Sequence, residues 1–358
     1  MIAYWSLFLL LLIVMYICHG EKTTYSLFFS MALIFIFFAF REGFTPDYEG
    51  YLYQFETMTW DEGRHRNEPL YQLMVINLSY RIALVIQTAL YCFALFITFK
   101  CIPYKYWWFC LFLLFFNRSF LLGNMGGFRS CFVSALFLIA IKCKELFGRK
   151  KGTIIGLFLI IVSSLIHVSG WVMVIAFLAI GSKALNAVKR NIWVIGSIVI
   201  IFMSFFFGST LSDLFNTVFK DNEDLETYMR NDIEDVIKIG TFTILRIALL
   251  FYILYVTLKT TTQENLGSIE TVCVKFVVIF ILLNLIPSIG LKERFYYYLA
   301  LPTIIGASSI IQNEQQHMKG YLYCGAWIVY ALWEYYLFVG KPTYVMFYSY
   351  YHNILFDL

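Results

Sequence analysis

Apolar residues run in long blocks along nearly the whole chain, broken by short polar stretches. The blocks predict helices over 2–18, 25–40, 82–99, 106–121, 126–141, 153–166, 169–181, 192–208, 241–258, 274–289, 295–311 and 321–339. The stretch 153–181 is too long for one ordinary span and is interrupted at Ile166-His167-Val168-Ser169-Gly170. It predicts either two short helices meeting near one surface or one tilted, kinked helix. Residues 69–80 open on Pro69 and are too short to span, which suits a helix lying in the interface or re-entering. Asp47, after Thr45-Pro46, reads as the cap of a short interfacial helix through Tyr48, Tyr51 and Phe55.

Composition sharpens this picture. Of 358 residues, 60% are hydrophobic and 14% charged, with a mean hydropathy of +0.72, whereas soluble domains carry roughly a quarter charged residues. Only lipid lets so many apolar runs stand as helices whose backbone groups are satisfied internally. The predicted fold is all-α, a polytopic transmembrane bundle of about ten to twelve helices, several short or broken, forming one integral membrane domain over 1–358. Residues 41–81 are expected as an outer loop with interfacial helices and 209–240 as an acidic outer loop. The run from Ile2 to Cys18 has neither a basic start nor a small-residue cleavage site, so it reads as a retained helix. The eight cysteines form no CxxC pair and no Cys/His cluster, and read as small core residues; no metal site is expected.

Charge sets the orientation. Lys142, Lys144, Arg149, Lys150 and Lys151 cluster in one short loop, and Lys183, Lys189 and Arg190 in another; both are expected on the cytoplasmic side. The broken segment between them then goes out and returns, which puts His167 at the outer surface. Carried along the chain, this alternation puts twelve Lys and two Arg in the inner loops, and eight Arg and four Lys in the outer regions. A point charge is enough for orientation, while the planar guanidinium fork favours phosphate and carboxylate. The outer face is therefore where anion chemistry is expected. Basic clusters confined to short inner loops need no nucleic-acid partner.

Four polar stretches fall where helices meet that face: Phe40–Tyr51 with Asn67–Leu70, Gly123–Arg129, Ile166–Ser169 and Lys292–Tyr298. Each has a plain reading. Arg41 can snorkel to headgroups, Glu68 can cap the helix at Pro69, His167 can be a packing histidine, and Arg294 with its tyrosines can be an interfacial anchor. Arg129 follows a glycine-rich turn at the start of an apolar run, where a guanidinium needs a partner. Taken together the stretches hold arginines for a diphosphate, a histidine or carboxylate for a hydroxyl proton, and rings such as Tyr48, Tyr51 and Tyr298 that can stack on sugars. That set suits glycosyl transfer from a lipid diphosphate.

At these residues the chain resembles the EpsG family of exopolysaccharide proteins, a branch of the Wzy-type O-antigen and capsule polymerases. The likeness is carried by FREGFTPDYEGY at 40–51, NEPLYQLM at 67–74, GGFRSCFVSALFLIAIK at 126–142, LIHVSGWVM at 165–173 and KERFYYYLALP at 292–302. It implies a GT-C-like glycosyltransferase without cofactor or metal, at the periplasmic face of the bacterial inner membrane. Such an enzyme moves a growing glycan from undecaprenyl diphosphate to an incoming lipid-linked repeat unit. A flippase and a chain-length regulator are its expected partners. By likeness Arg129 and Arg294 hold the diphosphate with Arg41 supporting, and His167 is the general base, ahead of Asp47 or Glu68. Where the family commonly has Arg-Gln, this chain has Arg129-Ser130, and the paired RX10G motifs of other Wzy proteins are absent. A flippase for lipid-linked sugars and an O-antigen ligase are the rival functions. The flippase is disfavoured by the lack of an internal repeat and by the fact that, apart from Arg118, Arg129 and Lys275 near span ends, only Arg246 and Glu334 lie inside predicted spans.

Overall fold

A computed structural model describes residues 2–17, 23–43, 45, 47–59, 67–118, 120–181, 191–192, 194–200, 202, 241–260, 268–285, 292–314, 318–339 and 351–354. The acidic 209–240 segment expected as an outer loop lies outside the described residues.

Among the described residues the architecture is all-α apart from one small strand pair. In chain order the helices are α1 Ile2–Ile17, α2 Thr23–Ala39, α3 Tyr48–Thr57, α4 Pro69–Asn77, α5 Tyr80–Lys100, α6 Trp107–Phe116, α7 Leu121–Gly126, α8 Phe128–Leu146, α9 Arg149–Ile166, α10 Trp171–Gly181, α11 Thr241–Thr260, α12 Ser268–Leu285, α13 Lys292–Glu314 and α14 Met318–Val339. Single 3-10 turns at Tyr104–Tyr106 and Val168–Gly170 precede α6 and α10. Strand β1 (Arg41–Gly43) pairs antiparallel with β2 (Tyr351–Asn353), with Arg41 opposite Asn353. This clasp between the start of the chain and residues near its end was not expected.

Local chemistry explains most boundaries. Pro69 opens α4, where its missing N–H costs nothing. Ser79 caps α5 by accepting from the Ile82 N–H. The helix expected over 106–121 instead ends at Phe116 and resumes as the short α7. Gly148, at φ 73°, reverses the chain between α8 and α9. The two helices then lie close enough that a Cβ on Gly152 would strike the Cys143 carbonyl oxygen and stand 2.6 Å from Lys144 Cα.

The two ends of α5 differ in chemistry. Near one end, Lys100 donates to Thr24 Oγ1 at 2.8 Å, Lys142 pairs with Glu145 at 2.9 Å and Lys144 donates to the Phe177 carbonyl at 2.9 Å. At the start of α5, about 30 Å away for a helix of this length, stand Arg41, Glu42, Arg81 and Arg129. Arg81 donates to the Arg41 carbonyl and pairs with Glu42, both at 3.0 Å.

The bundle buries an apolar core and also exposes large apolar side chains around its periphery. Ile2, Phe28, Ile154, Phe158 and Ile175 are among them. Among the described residues, Tyr80–Lys100 is long and apolar enough to cross a membrane, while Ile2–Ile17, Thr24–Ala39, Tyr104–Phe116 and Val168–Leu178 are apolar but shorter.

Candidate functional site

Three segments far apart in sequence meet where α4, α8 and α9 converge. Glu68 stands at the N-cap position of α4, Arg129 lies in the first turn of α8, and His167 follows the last residue of α9. The Glu68 carboxylate accepts from all the rest of the cluster. Its Oε2 faces Arg129 Nη1, and its Oε1 takes His167 Nδ1 at 2.6 Å and the Val168 N–H at 2.9 Å. Glu68, Arg129 and His167 are exposed by only 2%, 8% and 4%. At such depth an ion pair holds only when its remaining donors and acceptors are also met.

The backbone explains why His167 can reach this point. Ser163 and Ser164 both turn their hydroxyls back onto the Ile160 carbonyl, at 2.7 and 2.8 Å, at the end of α9. Side-chain bonds of this kind loosen the final turn of a helix. His167 is then extended, at φ −144° and ψ 117°, and the Val168–Gly170 turn starts α10. A Cβ on Gly170 would stand 3.0 Å from Ser164 Cα, so any larger residue would press the turn away from the end of α9. The break foreseen at 166–170 is thus a pair of short helices with His167 between them.

A second layer surrounds the cluster. The Arg129 guanidinium lies 5.1 Å from the centroid of the Tyr71 ring, and the Tyr71 hydroxyl donates to Gln54 Oε1 at 2.6 Å. Burial pushes the Tyr71 phenol above its ordinary pKa, with Tyr51 adding to the shift and Arg129 opposing it. The phenol is therefore a neutral donor that ties α4 to α3. Helix α13 is fastened to the same region. The Tyr297 carbonyl accepts from Asn124 Nδ2 at 3.2 Å and Ser134 Oγ at 2.9 Å, and the Tyr298 and Ser169 hydroxyls are hydrogen-bonded. Gly123 permits this approach, since a Cβ there would collide with the Tyr297 ring.

The remaining expected site residues are placed as follows. Arg41 is 1% exposed, and its two Nη groups donate to the carbonyls of Phe38 and Met125 at 2.6 and 2.7 Å. It joins α2 to α7. Asp47 is exposed at the N-cap position of α3, where its side chain makes no cap bond. Tyr48 and Tyr51 are buried in an aromatic cluster, Tyr48 against Tyr80 at 5.2 Å and Tyr51 against Phe128 at 5.5 Å between ring centroids. Tyr298 is fully buried. A ring that stacks on a sugar needs an open face, and these three are enclosed by protein. Arg294 lies in the first turn of α13, and its side chain is outside the described residues.

Tyr71, Val168, Ser169 and Asn124 lie inside the motif stretches, but sequence reasoning gave them no role, and it did not mark Gln54, which stands one helical turn from Tyr51. Outside the cluster, Arg246 and Glu334, two charges well inside predicted spans, pair at 2.8 Å. Among the described residues, no group of three or more His, Cys, Asp or Glu side chains could hold a metal ion.

Comparison with known proteins agrees with the motifs. No curated protein and no solved structure matches the chain. The family model that does match is that of the EpsG family, over residues 24–352, so it takes in every segment that builds the cluster. The chain belongs to the EpsG family, membrane proteins of polysaccharide biosynthesis.

Proposed function

We propose that the chain is a lipid-linked oligosaccharide polymerase. It transfers a growing glycan from undecaprenyl diphosphate to the sugar end of an incoming lipid-linked repeat unit. The observation that carries this reading is the meeting of Glu68, Arg129 and His167 in one buried cluster. The apolar periphery supports a polytopic bundle of GT-C type in the bacterial inner membrane. The separation of lysine-rich and arginine-rich ends supports a reaction at the periplasmic face.

The chemistry follows from the donor pattern. A carboxylate on Nδ1 fixes the imidazole tautomer with its proton on that nitrogen, leaving the Nε2 lone pair to accept a proton. In the proposed step, Nε2 takes the proton of the acceptor sugar hydroxyl as its oxygen bonds to the anomeric carbon of the donor glycan. The bond from that carbon to the diphosphate oxygen breaks, and the diphosphate leaves with the bonding pair. Arg129, with Arg294 from the head of α13, answers the charge on the leaving group. Glu68 orients the base and stabilises the imidazolium. Arg41 and Tyr298 serve the scaffold.

The test is a gel of surface polysaccharide from a deletion strain complemented with Arg129→Ala. A lost ladder with single repeat units still present supports polymerisation. Loss of the single capped unit as well points to a ligase or flippase, and a full ladder removes Arg129 from the mechanism.

A further inference from the structure

The guanidinium assigned above to the diphosphate already carries an anion. Arg129, His167 and the Val168 N–H all donate to the Glu68 carboxylate. A guanidinium, an imidazole and a backbone N–H around one small anion form a donor set well matched to phosphoryl oxygens. The carboxylate comes from the short α4, whereas its partners stand on α8 and on the turn after α9. The two oxygens face different elements. Oε1 takes two donors from the His167–Val168 turn, while Oε2 faces Arg129.

We infer that Glu68 Oε2 occupies, in the ligand-free protein, the seat on Arg129 that a diphosphate oxygen takes in the loaded one. Substrate binding then exchanges one anion for another at Arg129 while Oε1 keeps its hold on His167. This rests on the reading of Arg129 as a diphosphate ligand.

Two physical effects require an exchange in place of simple addition. A diphosphate brought beside a buried carboxylate meets like-charge repulsion that the low-dielectric surroundings screen poorly. In the other direction, an Arg129 left without any anion at 8% exposure is an uncompensated buried charge. An internal carboxylate keeps the guanidinium paired and in place between substrates. The diphosphate can displace it because it brings more charge and more acceptor oxygens. Glu68 therefore sets the affinity for the lipid diphosphate as well as the orientation of the base.

Neutralising the competitor should tighten binding. Glu68→Gln keeps the size of the side chain and an acceptor for His167 Nδ1–H and the Val168 N–H, but removes the charge. Binding of farnesyl diphosphate to the purified full chain in detergent micelles, followed by tryptophan fluorescence, compares wild type, Glu68→Gln, Arg129→Ala and the double variant. Glu68→Gln is expected to bind about tenfold tighter, a factor that corresponds to about 1.4 kcal/mol. Arg129→Ala and the double variant should bind equally weakly. If Arg129→Ala abolishes binding but Glu68→Gln binds no tighter than wild type, the exchange is overturned while Arg129 keeps its role. If Arg129→Ala binds like wild type, the diphosphate assignment fails and the exchange fails with it. Should Glu68→Gln not fold, Glu68→Asp keeps a carboxylate but cannot reach the turn and Arg129 together. It is expected to bind the probe several-fold tighter than wild type, and unchanged or weaker binding overturns the exchange.

Discussion

His167 Nδ1 and Glu68 Oε1, ninety-nine residues apart in sequence, stand 2.6 Å from each other in a site almost closed to solvent. The same carboxylate faces Arg129, so the three groups behave as one charge unit. Removing Glu68 takes the carboxylate from both cations, and removing Arg129 takes a cation from the buried carboxylate. Breaking a buried pair from one side costs about 3–5 kcal/mol, whereas replacing both partners with apolar groups of similar volume is often neutral.

Arg129→Met alone is accordingly expected to lower stability by about 3 kcal/mol or more, and Glu68→Leu alone by a similar amount. The double variant should recover much of that loss. Thermal unfolding in detergent checks this; purely additive losses would mean that the pair is not energetically coupled.

Tyr71 gives a pH dependence with a definite sign. Burial raises its phenol pKa in the folded state above the unfolded value near 10. A raised folded pKa contributes stability that is whole below the unfolded value and is lost as pH climbs from there towards the folded value. Stability should therefore fall as the protein is taken above about pH 10. Tyr71→Phe should reduce that alkaline decline and also lose about 1 kcal/mol at neutral pH with the bond to Gln54. Unfolding midpoints at pH 7, 9 and 11 separate the two effects.

Two glycines set distances between helices. A Cβ on Gly306 in α13 would stand 2.5 Å from the Cys273 carbonyl oxygen of α12, and one on Gly152 would strike the backbone of α8. Gly152→Ala and Gly306→Ala should each destabilise by about 1–3 kcal/mol. At Gly325 in α14 nothing stands within 4 Å of where a Cβ would lie, so Gly325→Ala is expected to gain up to about 1 kcal/mol. Melting temperatures of the three variants give the comparison.

Tyr298 and Ser169 link the head of α13 to the turn that carries His167. Under the proposed function, Tyr298→Phe and Ser169→Ala should each shorten the polysaccharide ladder by loosening that turn. The double variant should be no worse than the more severe single one, because both remove the same bond. Additive defects on the gel would show that the two hydroxyls act separately.

The helices were legible because apolar block length governs them. The spans expected at 25–40, 82–99 and 153–166 fall within one or a few residues of α2, α5 and α9. Arg129 was legible because charge inside apolar sequence demands a partner, and His167 because it breaks a long apolar run. Which carboxylate supplied that partner was not. Asp47 and Glu68 both precede short helices, and only the packing of α4 on α9 buries Glu68. Arg41 looked like Arg129 in sequence, but the structure matches it with backbone carbonyls, acceptors that every residue carries and no motif records. Aromatic residues misled for a related reason: Tyr48 and Tyr51 carry the same letters whether a ring faces a sugar or Phe128.

The pairing of Arg41 with Asn353 also bears on how the protein is made. The loop after α2 emerges early from the ribosome, yet its strand partner is not available until more than three hundred further residues have been synthesised. Contacts closed over so long a separation form late and slowly. The arginine-bearing end of the bundle therefore stays incomplete until that strand has been made, and its arrival locks the loop after α2 into its working shape.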